Sequence, residues 1–210
     1  MREQRAAQDS ATRAHVAEGE GVGVRLHPLR PEDVALRAQL LALEPAPHQL
    51  VDSASARQTL PAADADPRRA PFAVLAGGRP VGFGVLDRGE WLAAVLDDPA
   101  RAVLLRGFYL AAAEQGRGWG TRAAAAVPAL AAQVWGPPPA GPALAVLTVG
   151  DGNVVAQRAY AAAGWTDTGV RQVGGELGAL RVLVAAVPHD GASRPGRRGS
   201  AQAEASARSQ

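Results

Sequence analysis

The chain has 210 residues, 47% of them apolar, and a formal net charge of +2: enough for one domain with its own core, and too little charge excess for a basic nucleic-acid-binding face. It contains no cysteine, which excludes disulfides, thiolate metal sites and cysteine nucleophiles. The four histidines (His15, His27, His48 and His189) show no ligand spacing, so no metal is expected.

Residues 1–20 are polar and read as a disordered tail; a folded unit is expected over 21–187, and an Arg/Ser-rich disordered tail over 188–210. Arginines but no apolar segment precede Val22, so no signal peptide is expected. The longest apolar run, Ala123 to Trp135, is too short to cross a bilayer, and no membrane partner is expected. With neither signal, the cytoplasm is the default expectation.

In chain order, Val22 to Leu29 alternates as a first strand. Arg30-Pro31-Glu32-Asp33 reads as a helix start, with Leu36, Leu40 and Leu43 at helical spacing. A second helix is expected between about Pro47 and Leu60, ended by Pro61, with a loop over Ala62 to Arg69. Phe72 to Ala76, Gly77-Gly78 and Val81 to Leu86 form a hairpin signal. Trp91 to Leu96 fits either a short helix or a strand. Arg101 to Leu110 is a fourth strand, Thr121 to Trp135 a helix with Pro128 inside it, and Gly136 to Pro142 a rigid loop. Ala143 to Val149 is the continuous apolar run of a central strand. A helix follows from near Asn153 to Gly164, which stands at the C′ position. Trp165 to Val170 and Ala179 to Val187 close the chain as strands joined through Gly174-Gly175-Glu176.

The junction of the fourth strand and its helix, Phe108-Tyr109-Leu110 to Gln115-Gly116-Arg117-Gly118-Trp119-Gly120-Thr121, is a strand, a glycine-punctuated turn and a helix start. The first N–H groups of a helix lack intrahelical partners and lie at the positive end of its dipole. Glycines let an anion approach that backbone. A phosphorylated ligand is therefore expected. A Walker A loop needs lysine, and the chain has none. A dinucleotide fingerprint needs G-x-G-x-x-G and an acid about 20 residues on. Gly116, Gly118 and Gly120 have the wrong spacing, and Pro137 to Gly141 offers no acid. The pattern Q/R-x-x-G-x-G/A is matched in full by Gln115, Gly118 and Gly120. About 30 residues on, Asn153, Ala156, Tyr160, Gly164 and Trp165 fill N-x-x-A-x-x-x-Y-x-x-x-G-F/W.

These two motifs, in this order, resemble the coenzyme A loop and the following helix of the GNAT superfamily of N-acyltransferases. The likeness is best over 101–170 and extends over 22–187. It implies an α/β (α+β) GNAT fold, a mixed and strongly twisted sheet of about six to seven strands with helices on both faces. It implies acetyl-CoA as co-substrate and direct transfer of an acetyl group to a small-molecule amine. The look of Phe108 to Gly120 is closest to the amine- and polyamine-acetylating branch.

The resemblance also implies site residues. Pantetheine would lie between the parting fourth and fifth strands, along Phe108, Tyr109 and Leu110. Its pyrophosphate would sit on the amides of Gly116, Arg117, Gly118, Trp119, Gly120 and Thr121, with Gln115 a further cofactor-binding position of the motif. Arg117 would add a charge-assisted contact, whereas Trp119 would pack the helix. Asn153 would cap its helix or touch the pantetheine arm. Tyr160 would be the catalytic acid that protonates the leaving thiolate. Glu44, Glu90 and Glu176 are candidates for the general base by residue type, Glu176 because a Gly-Glu pair occurs near there in polyamine-acting relatives. A homodimer is compatible with the resemblance, and nucleic acid is not expected as a partner. A non-catalytic acyl-CoA sensor and a peptide N-terminal acetyltransferase are the alternatives.

Overall fold

The computed structural model describes residues 23–49, 54–173 and 178–189. The expected tails, save Pro188 and His189, lie outside these residues, as does the Gly174-Gly175-Glu176 connection.

The described chain forms strand β1 (Val24–Pro28), helices α1 (Val34–Leu41) and α2 (Ala56–Asp64), and strands β2 (Arg69–Ala76), β3 (Arg79–Asp87) and β4 (Ala102–Leu110). Helix α3 (Trp119–Trp135), strand β5 (Leu144–Gly150), helix α4 (Val154–Ala162) and strands β6 (Thr166–Val173) and β7 (Ala179–Ala186) follow. The seven strands make one sheet in the order β1-β2-β3-β4-β5-β7-β6. All neighbours are antiparallel except β4 and β5. This is the mixed α/β sheet expected from the sequence.

Alternation along the strands divides the apolar residues between two faces. On one face Phe72, Val74, Val103, Leu105 and Leu147 pack with Trp119, Ala123, Val127 and Leu130 of α3. On the other, Ala73, Leu75, Phe83, Val85 and Tyr109 pack with Leu40 of α1 and Leu60 of α2.

Three expectations are corrected. The single helix expected from Pro47 is a short 3-10 turn over Pro47–Gln49 and then α2, which starts at Ala56. Pro61 does not end α2 but lies inside it. One proline removes a single N–H and costs about 3 kcal/mol in a helix interior; here Ala56, Leu60 and Ala63 on either side are buried against the sheet and hold the helix past it. Helix α3 begins at Trp119, two residues before the expected Thr121, because the turn ends in the left-handed Gly118, φ +72°. The ambiguous segment near Trp91 is a 3-10 turn over Glu90–Ala94.

Tyr109 ties the helical layer to the sheet. It is 1% exposed. Its hydroxyl accepts from the N–H of Ala56, at the start of α2, at 3.0 Å and donates to the carbonyl of Leu43, past the end of α1, at 3.1 Å. Burial pushes the phenol above its ordinary pKa, with the Ala56 N–H opposing. The folded chain thus keeps a proton that the unfolded chain releases above about pH 10. Stability from this group is whole below that pH and is lost as pH rises toward the folded value. We expect Tyr109→Phe to lower the unfolding free energy by about 1–3 kcal/mol, since the buried Ala56 N–H and the half-buried Leu43 carbonyl lose their partner. It should also weaken the alkaline fall in stability, both read by urea denaturation at pH 8 and above pH 10.

Candidate active site

Strands β4 and β5 pair over three positions only, Ala102 with Leu144, Val103 with Ala145 and Leu104 with Val146. Beyond Leu104 they part. The reason lies in β4 itself: against β3, Phe83 faces Tyr109 and Val85 faces Arg106, so Gly84 is opposed by two residues, Gly107 and Phe108. Gly107 has φ +57°, where side chains are strained. Such a bulge bends its strand and raises the local twist, so β4 swings from β5 as β3 continues to hold its other edge.

The gap is a cavity of about 640 Å³. One wall is β4 from Leu104 to Leu110, the opposite wall is Leu147 to Gly150, and α4 contributes Ala156, Ala159 and Tyr160. Its mouth is the loop at the start of α3, with Gln115, Gly116, Gly118, Trp119, Gly120 and Thr121. Gly116 and Gly118 both have positive φ, +76° and +72°. A Cβ built on either would meet nothing within 4 Å. The first intrahelical bond runs from Arg122 N–H to Gly118 O, 3.3 Å. The N–H groups from Gly116 to Thr121 meet no acceptor among the described residues. An open row of amides at a helix start is an anion cradle. Trp119, 3% exposed, adds an indole N–H that has no hydrogen-bond partner among the described residues.

The site residues named from the sequence are brought together with one exception. Phe108, Tyr109, Leu110, Gln115, Asn153 and Tyr160 line the cavity with the loop glycines, Trp119 and Thr121. Arg117 does not line it; its guanidinium lies 5.1 Å from the Trp119 ring centroid and 4.0 Å from Glu114. Gln115 holds the loop rather than offering free donors: its side-chain amide donates to Leu110 O at 3.2 Å and to Gln49 Oε1 at 2.6 Å. Asn153 caps α4, its side chain accepting from Ala156 N–H at 3.1 Å. Tyr160 is set by Trp165, whose ring meets it edge-on with centroids 6.0 Å apart. Trp165 in turn donates its indole N–H to Ala124 O of α3, 3.1 Å.

Of the base candidates, Glu44 and Glu90 are not among the lining residues. Glu44 is exposed and Glu90 faces Arg68 at 3.8 Å; Glu176 lies outside the described residues. Sequence reasoning missed Gln49 and Arg106. Arg106 is a lone charge inside an apolar strand, and that was its available signal.

The model of the acetyltransferase (GNAT) family matches residues 37–165, more than half of the chain. The chain belongs to the GNAT acetyltransferase family. Its structure is similar to that of an aminoglycoside acetyltransferase, AAC(6')-Ib, in complex with coenzyme A, at TM-score 0.56 and 20% identity over 78% of this chain and 95% of that one. The same figures hold for that enzyme with coenzyme A and kanamycin. A chimeric spermidine N-acetyltransferase built from a Vibrio cholerae protein is similar at TM-score 0.51 and 14% identity, over 78% of this chain and 94% of that one. At these identities the likeness establishes the GNAT fold. No curated protein matches the sequence.

Among the described residues no helix of this GNAT protein is long and apolar enough to cross a membrane. The loop of the fold gives a direct check. Gly118→Ala forces a side chain into the left-handed region, which costs about 1–2 kcal/mol, although the space around it is open. We expect a lower melting temperature by roughly that free energy, and a weaker stabilisation by added coenzyme A, both by differential scanning fluorimetry.

Proposed function

We propose that this protein is an acetyl-CoA-dependent N-acetyltransferase that acetylates a primary amine of a small molecule by direct transfer. The observation that carries the reading is the convergence on one cavity of unpartnered loop amides, two strands that part at a bulge, and Tyr160. Coenzyme A fits these residues. The amides from Gly116 to Thr121 would hold its pyrophosphate, and the β4 backbone freed from β5 would hold its pantetheine arm. When bound, acetyl-CoA supplies an acetyl group as a thioester, whose loss to an amine leaves a free thiol.

The chain's own groups do the rest. Backbone N–H groups of β4 on the gap side are fixed donors for the carbonyl oxygen of the thioester. Tyr160 Oη holds the proton that the departing sulfur requires. Phenols and thiols are of comparable acidity as classes, so a tyrosine hydroxyl is a competent donor to a departing thiolate. The cap at Asn153 and the Trp165 edge contact keep Tyr160 turned to the cavity. Gln115, tied to Leu110 and Gln49, keeps the loop open.

The acceptor expected from the sequence is a polyamine-like amine, and the similar solved proteins are named for aminoglycosides and spermidine. Both are polycations. The described wall of this cavity carries no carboxylate, so support for a polycation comes from likeness alone.

Coenzyme A is expected to raise the melting temperature, and thiol release from acetyl-CoA should appear with an amine panel. Tyr160→Phe is expected to lower kcat by roughly a hundredfold, while calorimetry gives an affinity for coenzyme A within about twofold of the parent. Equal kcat would remove the acid role. Binding of coenzyme A with no turnover on any amine would make the protein a sensor.

A further inference from the structure

We propose that Arg106 selects the acceptor, and that the acceptor is an amine that also carries an anionic oxygen group, a carboxylate or a phosphate. The inference rests on the acetyl-CoA reading of the cavity and names the substrate class of that site.

Arg106 is the only charged residue lining the cavity among those described, and no aspartate or glutamate lines it. It stands where β4 and β5 part, two residues past the last paired position, Leu104. The loop cradle begins after the other end of β4. Arg106 and Leu110 pair with Val85 and Gly82, three residues apart on β3 and so roughly 10 Å of strand, and the guanidinium bonds Asp87, opposite Leu104 and further from the loop, so its charge belongs to the closed end of the gap and not to the pyrophosphate. Pairing with Val85 puts Arg106 on the sheet face of α1 and α2, opposite the face that carries α3.

Its guanidinium is aimed by a buried acid. Asp87, 3% exposed, lies two residues beyond Val85 on β3 and so on the same face. Asp87 Oδ2 accepts from Arg106 Nη1 at 2.9 Å and from Arg69 Nε at 3.1 Å, while Oδ1 accepts from Gly89 N–H at 2.7 Å. Among the described residues Asp87 is the one partner of the Arg106 side chain, which is 47% exposed. A guanidinium has five N–H donors in a planar fork, so an oriented edge is left for another oxyanion. Such a fork suits carboxylate and phosphate in bidentate geometry. A polycation would instead bring its ammonium groups to a wall whose one charge is positive.

The test compares matched acceptors with acetyl-CoA: 4-aminobutanoate with 4-aminobutanamide, glycylglycine with glycylglycinamide, phosphoethanolamine with ethanolamine, and spermidine beside them. The anionic member of at least one pair is expected to have a KM at least about tenfold lower than its neutral partner. In Arg106→Gln that ratio falls to about one. A purely structural role in holding Asp87 would lower stability and leave the ratio as it was. The comparison in the unaltered protein stands even if the variant folds poorly. Calorimetry with coenzyme A and N-acetyl-4-aminobutanoate reads the same contact without turnover, and binding is expected to weaken at least about tenfold in the variant. Turnover of spermidine or the neutral amines at or above that of the anionic ones, or of no anionic amine, overturns the proposal. The unaltered protein's melting shift with coenzyme A separates the two readings: if the shift is present, only the role of Arg106 is lost, and if it is absent, the acetyl-CoA reading falls with it.

Discussion

The parting of β4 from β5 is the constraint on which the site depends. A parallel pair held along its full length would satisfy its own backbone and leave nowhere for a ligand. Here the pairing stops after Leu104 and Val146, and the bulge at Gly107 is its cause. Rings on both faces brace the bent strand. Phe108 stacks on Phe72 with centroids 6.4 Å apart on one side, and Tyr109 meets Phe83 at 6.2 Å on the other. The strand cannot relax back toward β5 without breaking both contacts. Binding surface is thus obtained from backbone that the core has fixed in place, so little ordering is left for the moment of binding.

The elements around the gap are joined by few bonds, and most of these serve stability and site at once. Trp165 follows Gly164, φ +88°, at the end of α4. Its N–H donates to Tyr160 O at 3.0 Å and its indole to α3. The same residue therefore ends α4, packs it on α3 and fixes the ring of the proposed acid. Gln115 does likewise at the mouth, joining the loop to Leu110 and to the 3-10 turn before α2. Tyr109 joins that layer to β4 from below. A change at any of these joints moves the wall as well as the core.

What could be read in the sequence was what rests on local backbone chemistry. Gly77-Gly78 between apolar runs gave the hairpin, and the glycines after β4 gave the loop. Asn153, Tyr160 and Gly164 at helical spacing gave α4 and its cap. Most of the misreadings trace to contacts between residues distant in the chain, although the early start of α3 is set locally by Gly118. Pro61 is a stop signal locally, but the packing of Leu60 on β2 and β3 overrides it. Gln49 is 66 residues from Gln115, and nothing near it in sequence marks it for the loop. Arg106 and Asp87 are 19 residues apart, and only the bulged register of β4 on β3 shows that they meet. Glu44 and Glu90 were named by residue type, which carries no information on where a strand or turn will place them.

The Asp87 cluster also bears on why the chain keeps charge inside the sheet. Burying a carboxylate costs several kcal/mol before pairing, and replacing a buried ion group by apolar residues of similar volume is often neutral or stabilising. Stability alone therefore gives weak reason for the Arg69–Asp87–Arg106 cluster as a whole, although loss of Asp87 by itself would leave both arginines without this acceptor. Two arginines share its Oδ2, and they differ in setting. Arg69 also faces Asp66 at 3.6 Å, so its charge is met twice within the cluster. Arg106 has Asp87 alone among the described residues, is 47% exposed and is one of the residues that line the cavity. An apolar replacement at Asp87 alone would free this guanidinium to swing and would take the acceptor from Arg69 and from the Gly89 N–H as well. A buried acid instead holds the guanidinium through Nη1 and leaves further donors of the fork unbound among the described residues, which is the arrangement that orienting a cation requires.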